Sequence, residues 1–431
     1  MKNKYDLIVA GAGPAGTAAA YTAAKAGLKV IMFERGEYPG SKNMFGGVFY
    51  GHALAEMIPN FWEEAPIERS LIEERYWLLS GNDVTNVSFR SRDWANPPYN
   101  GFSIMRAKFD KWFADKAVEA GALLVCETVV TQLIVKDNKV IGVKTGRPDG
   151  DVYADVVIVA DGVNSLLARD MGLHREWKGT DIGIGVKELI ALPKETIENR
   201  FNLQGNEGTT IKFLGEITEG MTGGGFLYTN KDTISLGIVV VVTDLMKTGV
   251  RPDELIERMK ENPNIAPLIE GGHTKEYSAH MVPEAGLASM PELIHDGVML
   301  VGDAALLINN LRGAGANLSI TSGRLAAETV IKAKAKGNFS TEALAGYERA
   351  MKESYALKDM QQFRGWPGFL HGHPDLLKWY PKTANSLLKG TFTTDSRPTR
   401  ARQKKIMEEI KKQKSLTKIA REIYGAWRVI K

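Results

Sequence analysis

Gly11-Ala12-Gly13-Pro14-Ala15-Gly16 stands between a short apolar run, Tyr5–Ala10, and an Ala-rich stretch, Ala15–Ala26. The first glycine of such a motif permits a tight turn, the second lets the backbone approach a pyrophosphate, and the third lets helix pack on strand. The helix N-terminus then offers free N–H groups and a partial positive charge to phosphate oxygens. Glu34 ends the next apolar run, Leu28–Phe33, where a carboxylate can accept from a ribose 2′-OH. An acid at that position disfavours a 2′-phosphate and leaves NAD and FAD open.

Two later segments separate these. Val156–Ala160 leads into Asp161-Gly162, and Val298–Val301 leads into Gly302-Asp303, with Gly313-Ala314-Gly315-Ala316-Asn317 opening a further Ala-rich helix. Taken singly, Asp161 or Asp303 could be no more than a strand-end cap. In this order they fit FAD: Asp303 is placed to accept from a ribityl hydroxyl. The helix start at Gly313–Asn317 is placed to aim N–H groups at the flavin O2/N1 edge, where they favour an anionic reduced ring. An NAD domain needs neither element. Arg35, beside Glu34, and Val129 and Val130 complete the cofactor-binding candidates on this side of the chain.

The elements that position these residues form a β-α-β unit over the first thirty or so residues, then a glycine-containing loop, Gly36–Gly51. Arg106–Gly121 reads as a helix, with Phe109, Trp112, Phe113, Ala117 and Val118 sharing a face. Leu123–Val130 reads as one strand, and Leu133–Thr145 as strands around a Lys136–Lys139 hairpin turn. Alternation over roughly 183–277 indicates an antiparallel second domain, and the remainder is largely helical. The expected class is α/β: a Rossmann-like FAD-binding domain of the glutathione-reductase/aromatic-hydroxylase type, interleaved with an antiparallel-sheet domain and followed by a helical C-terminal region. The expected division gives 1–52, 104–175 and 285–345 to the FAD-binding domain, and 53–103 and 176–284 to the antiparallel domain. Residues 346–431 form the aromatic, basic C-terminal region.

The composition of the 431 residues is that of a globular protein, 44% hydrophobic and 25% charged. Cys126 is the single cysteine, which excludes an iron–sulfur cluster held by four cysteines of this chain. His371-Gly372-His373 lacks further ligands nearby, so no metal site is expected. Met1–Lys4 reads straight into a strand, so no signal peptide is expected. No apolar run nears the roughly 20 residues that span a bilayer. Arg397–Lys431 holds twelve Lys/Arg against three acids, an excess of nine within a whole-chain net charge of +4, so the remainder carries a net −5. The tail suits an anionic membrane face or an acidic partner, and nucleic acid is not expected because no recognised motif accompanies the charge. The aromatics of Phe363–Leu370 and Trp379-Tyr380 suit either a membrane interface or packing between lobes.

The sequence resembles the FixC branch of the electron-transfer-flavoprotein:quinone oxidoreductases, within a wider group that includes geranylgeranyl reductases and aromatic hydroxylases. The resemblance is carried by Gly40-Ser41-Lys42-Asn43-Met44-Phe45-Gly46-Gly47, by Arg106 with Phe109-Asp110, and by Gly183-Ile184-Gly185-Val186-Lys187-Glu188. It continues through Gly223–Asn230, Tyr277–Glu284 and the Gly302-Asp303 segment. It implies FAD-dependent electron transfer from an electron transfer flavoprotein, of alpha and beta subunits, to a membrane quinone. The iron–sulfur cluster of the mitochondrial-type relatives would reside on a separate ferredoxin-like subunit, since the cysteines are absent here. The location implied is cytoplasmic, peripheral on the inner face of the cell membrane. Ser41, Asn43, Gly46, Gly47 and Arg106 join the cofactor set, with Arg106 toward the FAD phosphates or ribityl chain, a helix-cap salt bridge being its other reading. Lys42 is a candidate charge near the flavin or a surface lysine. Tyr277 and His280 are candidate proton relays to quinone or structural hydrogen-bonders. The rival readings are a prenyl-lipid reductase of the geranylgeranyl reductase type, whose Tyr-x-Trp-x-Phe-Pro signature is missing, an NAD(P)H-dependent flavin hydroxylase, and a flavin-bearing structural subunit.

Overall fold

The computed structural model describes residues 4–43, 46–284 and 286–431. Met44 and Phe45 of the Gly40–Gly47 motif, Met1–Asn3 of the Met1–Lys4 segment, and Ala285 lie outside the described residues. The chain forms two compact units. The first comprises Met1–Glu68, Asn100–Asp181 and Met281–Gln361, and the second Arg69–Tyr99, Ile182–His280 and Gln362–Lys431.

In the first unit, five strands run parallel in the order Val298–Leu300, Asp151–Val159, Tyr5–Ala10, Val30–Phe33, Leu123–Val125. Leu7–Ala10, Val156–Val159 and Val298–Leu300 are buried along their whole length, as strands covered on both faces must be. Helices Pro14–Lys25 and Ala316–Lys336 meet where a Cβ on Gly323 would stand 2.0 Å from the Ala15 carbonyl oxygen. Both helices are rich in small residues on that account. The Val130–Lys136 and Lys139–Thr145 hairpin turns through Asp137 and Asn138, both at positive φ, as a two-residue turn requires.

The expected strand over 123–130 is two elements. It stops at Val125 and resumes at Val130, because the Glu127 and Thr128 N–H groups turn to the carbonyls of Gly36 and Glu34 instead of continuing the ladder. The break ties this segment to the end of the Val30–Phe33 strand.

The second unit is built on a mostly antiparallel sheet in the order His273–Pro283, Ile182–Ala191, Thr233–Val241, Gly223–Thr229, Glu207–Gly215, Ile67–Ser80, with Asp83–Arg90 hairpinned to the last. The Glu207–Gly215 and Ile67–Ser80 strands pair in parallel. Val186, Ile190, Phe213, Leu227, Ile234, Leu236 and Ile238 face one core with Ile197, Phe201, Leu255, Ile256 and Met259 from two helices. The C-terminal helices join this unit through Asn385. It accepts from Thr85 Oγ1 at 2.6 Å and donates to the carbonyls of Leu78 (3.0 Å) and Asp83 (3.2 Å). One amide thereby satisfies the mouth of a hairpin.

Candidate functional site: the strand tips of the first unit

The first glycine turn is forced by space. Gly11 has φ +112°, and a Cβ there would stand 2.3 Å from the Ala160 oxygen, so any side chain would drive the Tyr5–Ala10 and Asp151–Val159 strand tips apart. A Cβ on Gly16 would stand 1.9 Å from the Gly11 oxygen, so the helix lies directly on the turn. Gly13, the residue before the helix, faces open space, and Pro14 occupies the first helical position. No side chain caps the N–H groups that follow. This is a cradle for an anion built from backbone alone.

The remaining candidates converge on the same edge of the sheet. Glu34, at the end of its strand, accepts from the N–H of Gly36 at 2.7 Å and of Ala12 at 3.3 Å. Those bonds fix the carboxylate beside the glycine turn and leave lone pairs for a hydroxyl donor. Asp161 Oδ2 caps the Leu166–Asp170 helix through the Leu167 N–H at 3.2 Å, while its Oδ1 is buried without a partner. Burial pushes the Asp161 carboxyl up to about 6. The cap reading of Asp161 therefore describes half of the group. Gly302 is set against Ala15, where an added Cβ would stand 2.8 Å from the Ala15 Cβ, which brings Asp303 to the head of the first helix. Burial also raises the Asp303 carboxyl, and the Arg106 charge partly offsets it. A Cβ on Gly315 would stand 4.0 Å from Asp303 Oδ1, so the start of the Ala316–Lys336 helix and Asp303 share one corner.

Arg106 opens the Arg106–Glu119 helix and grips Asp110 one turn later, Nε–Oδ1 2.8 Å and Nη2–Oδ2 2.7 Å. Asn43 Nδ2 donates to the same carboxylate at 2.8 Å. Asp110, named from the sequence only as part of the Arg106 motif and given no role at the site, is thus the hub; its i, i+4 spacing from Arg106 was the available signal. Ser41 Oγ is buried without a partner. Asn317 is buried and spends its side-chain amide on Tyr355 Oη at 3.2 Å, so its backbone N–H is what it can offer a ligand. Gly162 has φ +79°, and Gly313 is exposed with φ +63°. Gly46 is buried, and Gly47 starts the Gly47–Phe49 strand. Val130 starts its own strand, and Arg35, Lys42 and Val129 are exposed.

Tyr277 and His280 lie on the His273–Pro283 strand, three residues apart, which puts them on opposite faces of a pleated strand. His373, stacked on Phe369 and bonded to the Phe369 carbonyl at 2.8 Å, is occupied structurally. Among the described residues, no group of three or more His, Cys, Asp or Glu side chains is gathered as for a metal ion.

The donor set suits FAD: an uncapped helix start, a ribose-side acid, and two orphaned buried oxygens, Asp161 Oδ1 and Ser41 Oγ, at one sheet edge. Residues 6–182 match the model for FAD dependent oxidoreductases, residues 182–282 that for ETF-QO, ubiquinone-binding, and residues 366–431 that for the ETF-QO/FixC family C-terminal domain. The fold and its site define an FAD-dependent oxidoreductase. The chain is 43% identical to Protein FixC of Bradyrhizobium diazoefficiens, over 99% of this chain and 100% of that one. It is 41% identical to Protein FixC of Azotobacter vinelandii over the full length of both, and 42% identical to that of Escherichia coli K12 over 95% of each. The chain belongs to the FixC family. Among solved structures, a geranylgeranyl bacteriochlorophyll reductase-like protein of Thermoplasma acidophilum shares the fold, with TM-score 0.76, 24% identity, and 98% of this chain and 99% of that one covered. A flavin-dependent brominase does so at TM-score 0.67 and 17% identity, over 96% and 100% of the two chains.

Proposed function

We propose that the protein takes electrons from an electron transfer flavoprotein onto its FAD and delivers them to a membrane quinone. A ferredoxin-like iron–sulfur subunit is its companion, and its place is the cytoplasmic face of the cell membrane. The observation that carries this reading is the ubiquinone-binding match over residues 182–282, within a chain that aligns end to end with FixC proteins. The lone Cys126 supports a separate iron–sulfur subunit, because this chain has no thiolates to hold a cluster.

FAD exchanges electrons singly or in pairs, so the protein's part is to bind it, orient it and set its potential. In this reading the Ala15 and Gly16 N–H groups hold the pyrophosphate and Glu34 accepts from the adenosine ribose. Asp303 accepts from the ribityl chain, and the backbone N–H groups of Gly315–Asn317 face the flavin O2/N1 edge. Arg106, already paired with Asp110, serves more as an anchor for the Gly36–Asn43 loop than as a phosphate clamp. Of Tyr277 and His280, one at most can face a given quinone, because they leave the strand on opposite sides. In the same segment, Lys187 Nζ donates to Tyr228 Oη at 2.8 Å, both residues being buried.

The test is to mix FAD-loaded protein with reduced electron transfer flavoprotein and a short-chain quinone, with and without the ferredoxin-like subunit. Quinol formation supports the reading, and its absence in both mixtures overturns it.

A further inference from the structure

The basic tail ends in a helix whose packing turns an apolar stripe outward. Ser415 caps the Leu416–Ile430 helix through the Lys418 N–H at 3.2 Å. Its inner face is fixed at several points. Glu422, an acid among basic residues, is buried and accepts from Lys414 Nζ at 2.7 Å and Tyr380 Oη at 2.9 Å. Lys414 also pairs with Asp375 at 2.7 Å and lies over the rings of Trp379 and Tyr380. Gly425 is pressed on the Phe369 ring, and Val429 on Gly365.

With that face held, the opposite side cannot be core. Leu416 is 50% exposed, Ile423 56%, Tyr424 58%, Trp427 53% and Ile430 38%. At 100° per residue these five, with Ala420, fall within one arc running the whole length of the helix. Arg421 and Arg428 border the arc on one side, and Lys431 Nζ lies 4.8 Å from the Trp427 ring centroid at its end. A soluble helix exposes its polar face and buries its apolar one; this helix is packed by Glu422 and Gly425 and exposes the reverse. Apolar stripe, interfacial Tyr and Trp, and a basic flank are the composition of a helix lying in the plane of a lipid surface. Charge decides against a second copy of the chain as the cover, since two such helices would bring their arginine flanks together. An anionic headgroup layer neutralises the flank and receives the stripe at once. Among the described residues, no helix is long and apolar enough to cross a membrane, so the contact is parallel to the surface.

We infer that the outer face of the Leu416–Ile430 helix is a docking surface for an anionic lipid bilayer. The inference deepens the proposed membrane location by naming the segment and the lipid chemistry, and it rests on that location. Its test is co-sedimentation of the FAD-loaded full chain with vesicles of equal parts phosphatidylcholine and phosphatidylglycerol, against vesicles of phosphatidylcholine alone. Binding is expected to the anionic vesicles and to weaken as salt rises. The double variant Ile423→Ser/Trp427→Ser should lose vesicle binding while its flavin spectrum and thermal midpoint stay those of the wild type. Arg421→Gln/Arg428→Gln should weaken binding at low salt by roughly fivefold for each charge removed. Wild-type binding that is absent, or that the Ile423/Trp427 variant retains, overturns the inference. So does concentration-dependent self-association that the same variant abolishes. Reduction of a short-chain, water-soluble quinone needs no bilayer, so it should be equal in wild type and variant. Failure of that assay with vesicle binding intact would instead sink the quinone reading.

Discussion

Glu284 offers a sharp test of how this fold handles a half-buried acid. It follows the His273–Pro283 strand, accepts from Asn310 Nδ2 at 2.8 Å, and donates its own N–H to the Asp181 carbonyl at 2.7 Å. Asn310 also donates to the Pro283 carbonyl at 3.0 Å, and it sits in the loop that leads to Gly313 and Gly315. Among the described residues no cation compensates the carboxylate, and burial pushes it from the ordinary 4.5 up to about 7. The folded protein therefore keeps a proton that the unfolded chain has already released. The stability this group contributes is full below pH 4.5 and is lost as pH rises through 7. A rise of that size corresponds to about 3 kcal/mol at about 1.4 kcal/mol per tenfold, an upper bound on the cost of burying the charge. Glu284→Gln keeps the acceptor for Asn310 and removes the charge. It should stabilise the first unit by up to about 3 kcal/mol at about pH 8.5, and by only about 1 kcal/mol at about pH 5.5. The assay is equilibrium urea unfolding of the FAD-loaded protein, followed by the flavin fluorescence released with the cofactor. Glu284→Ala, which also loses the hydrogen bond, should fall short of Gln by about 1 kcal/mol at both pH values. A gain independent of pH, or a loss at the higher pH, would refute the claim that an unpaired charge is buried there.

Gly16→Ala should express as protein without flavin, because its Cβ would stand 1.9 Å from the Gly11 oxygen and must push the helix start off the turn. The ratio of flavin to protein absorbance reads this, and full occupancy would count against the cradle. Asp303→Ala should weaken FAD binding by about 1.5–3 kcal/mol, roughly tenfold to a hundredfold, while Asp303→Asn, which keeps an acceptor, loses less; titration of cofactor-free protein separates the two. Lys414→Ala leaves Glu422 buried beside Tyr380 with only the exposed Lys418, 3.9 Å away, as a cation, and should cost the packing of the last helix up to about 3 kcal/mol. Early trypsin cleavage within Leu416–Ile430, with the flavin spectrum unchanged, is the expected result, and wild-type resistance would contradict it.

What the sequence disclosed was local. The Tyr5–Ala10 strand stands at its expected bounds, and the helix expected at Ala15–Ala26 spans Pro14–Lys25, because glycine spacing and apolar runs act over a few residues. Features that depend on distant partners were not legible. Ile67–Ser80 falls in the 53–103 stretch assigned to the antiparallel domain, but nothing local says that it is one long strand or what it pairs with. In the fold Glu73 is buried and shared by Arg75 (2.8 Å) and Arg90 (2.7 Å), and the strand's parallel partner lies more than a hundred residues away. Lys187, known from the sequence only as part of the Gly183–Glu188 motif, finds Tyr228 two strands across. Gly237 on the intervening strand leaves the space, being directly in register with Lys187.

The C-terminal tail shows how the two levels combine. Composition identified an electrostatic object, and charge alone fits an acidic protein as well as a lipid surface. A charge count treats Glu422 as one neutralised lysine; the structure makes it the group that fixes which way the helix faces. Once Glu422 points inward, geometry leaves Leu416, Ile423, Tyr424 and Trp427 on the outside, whatever their hydrophobicity. A tail selected only for attraction to an acidic protein has no reason to keep four large apolar side chains there, at a cost in solubility. The same stripe beside the same arginines is what a bilayer surface rewards.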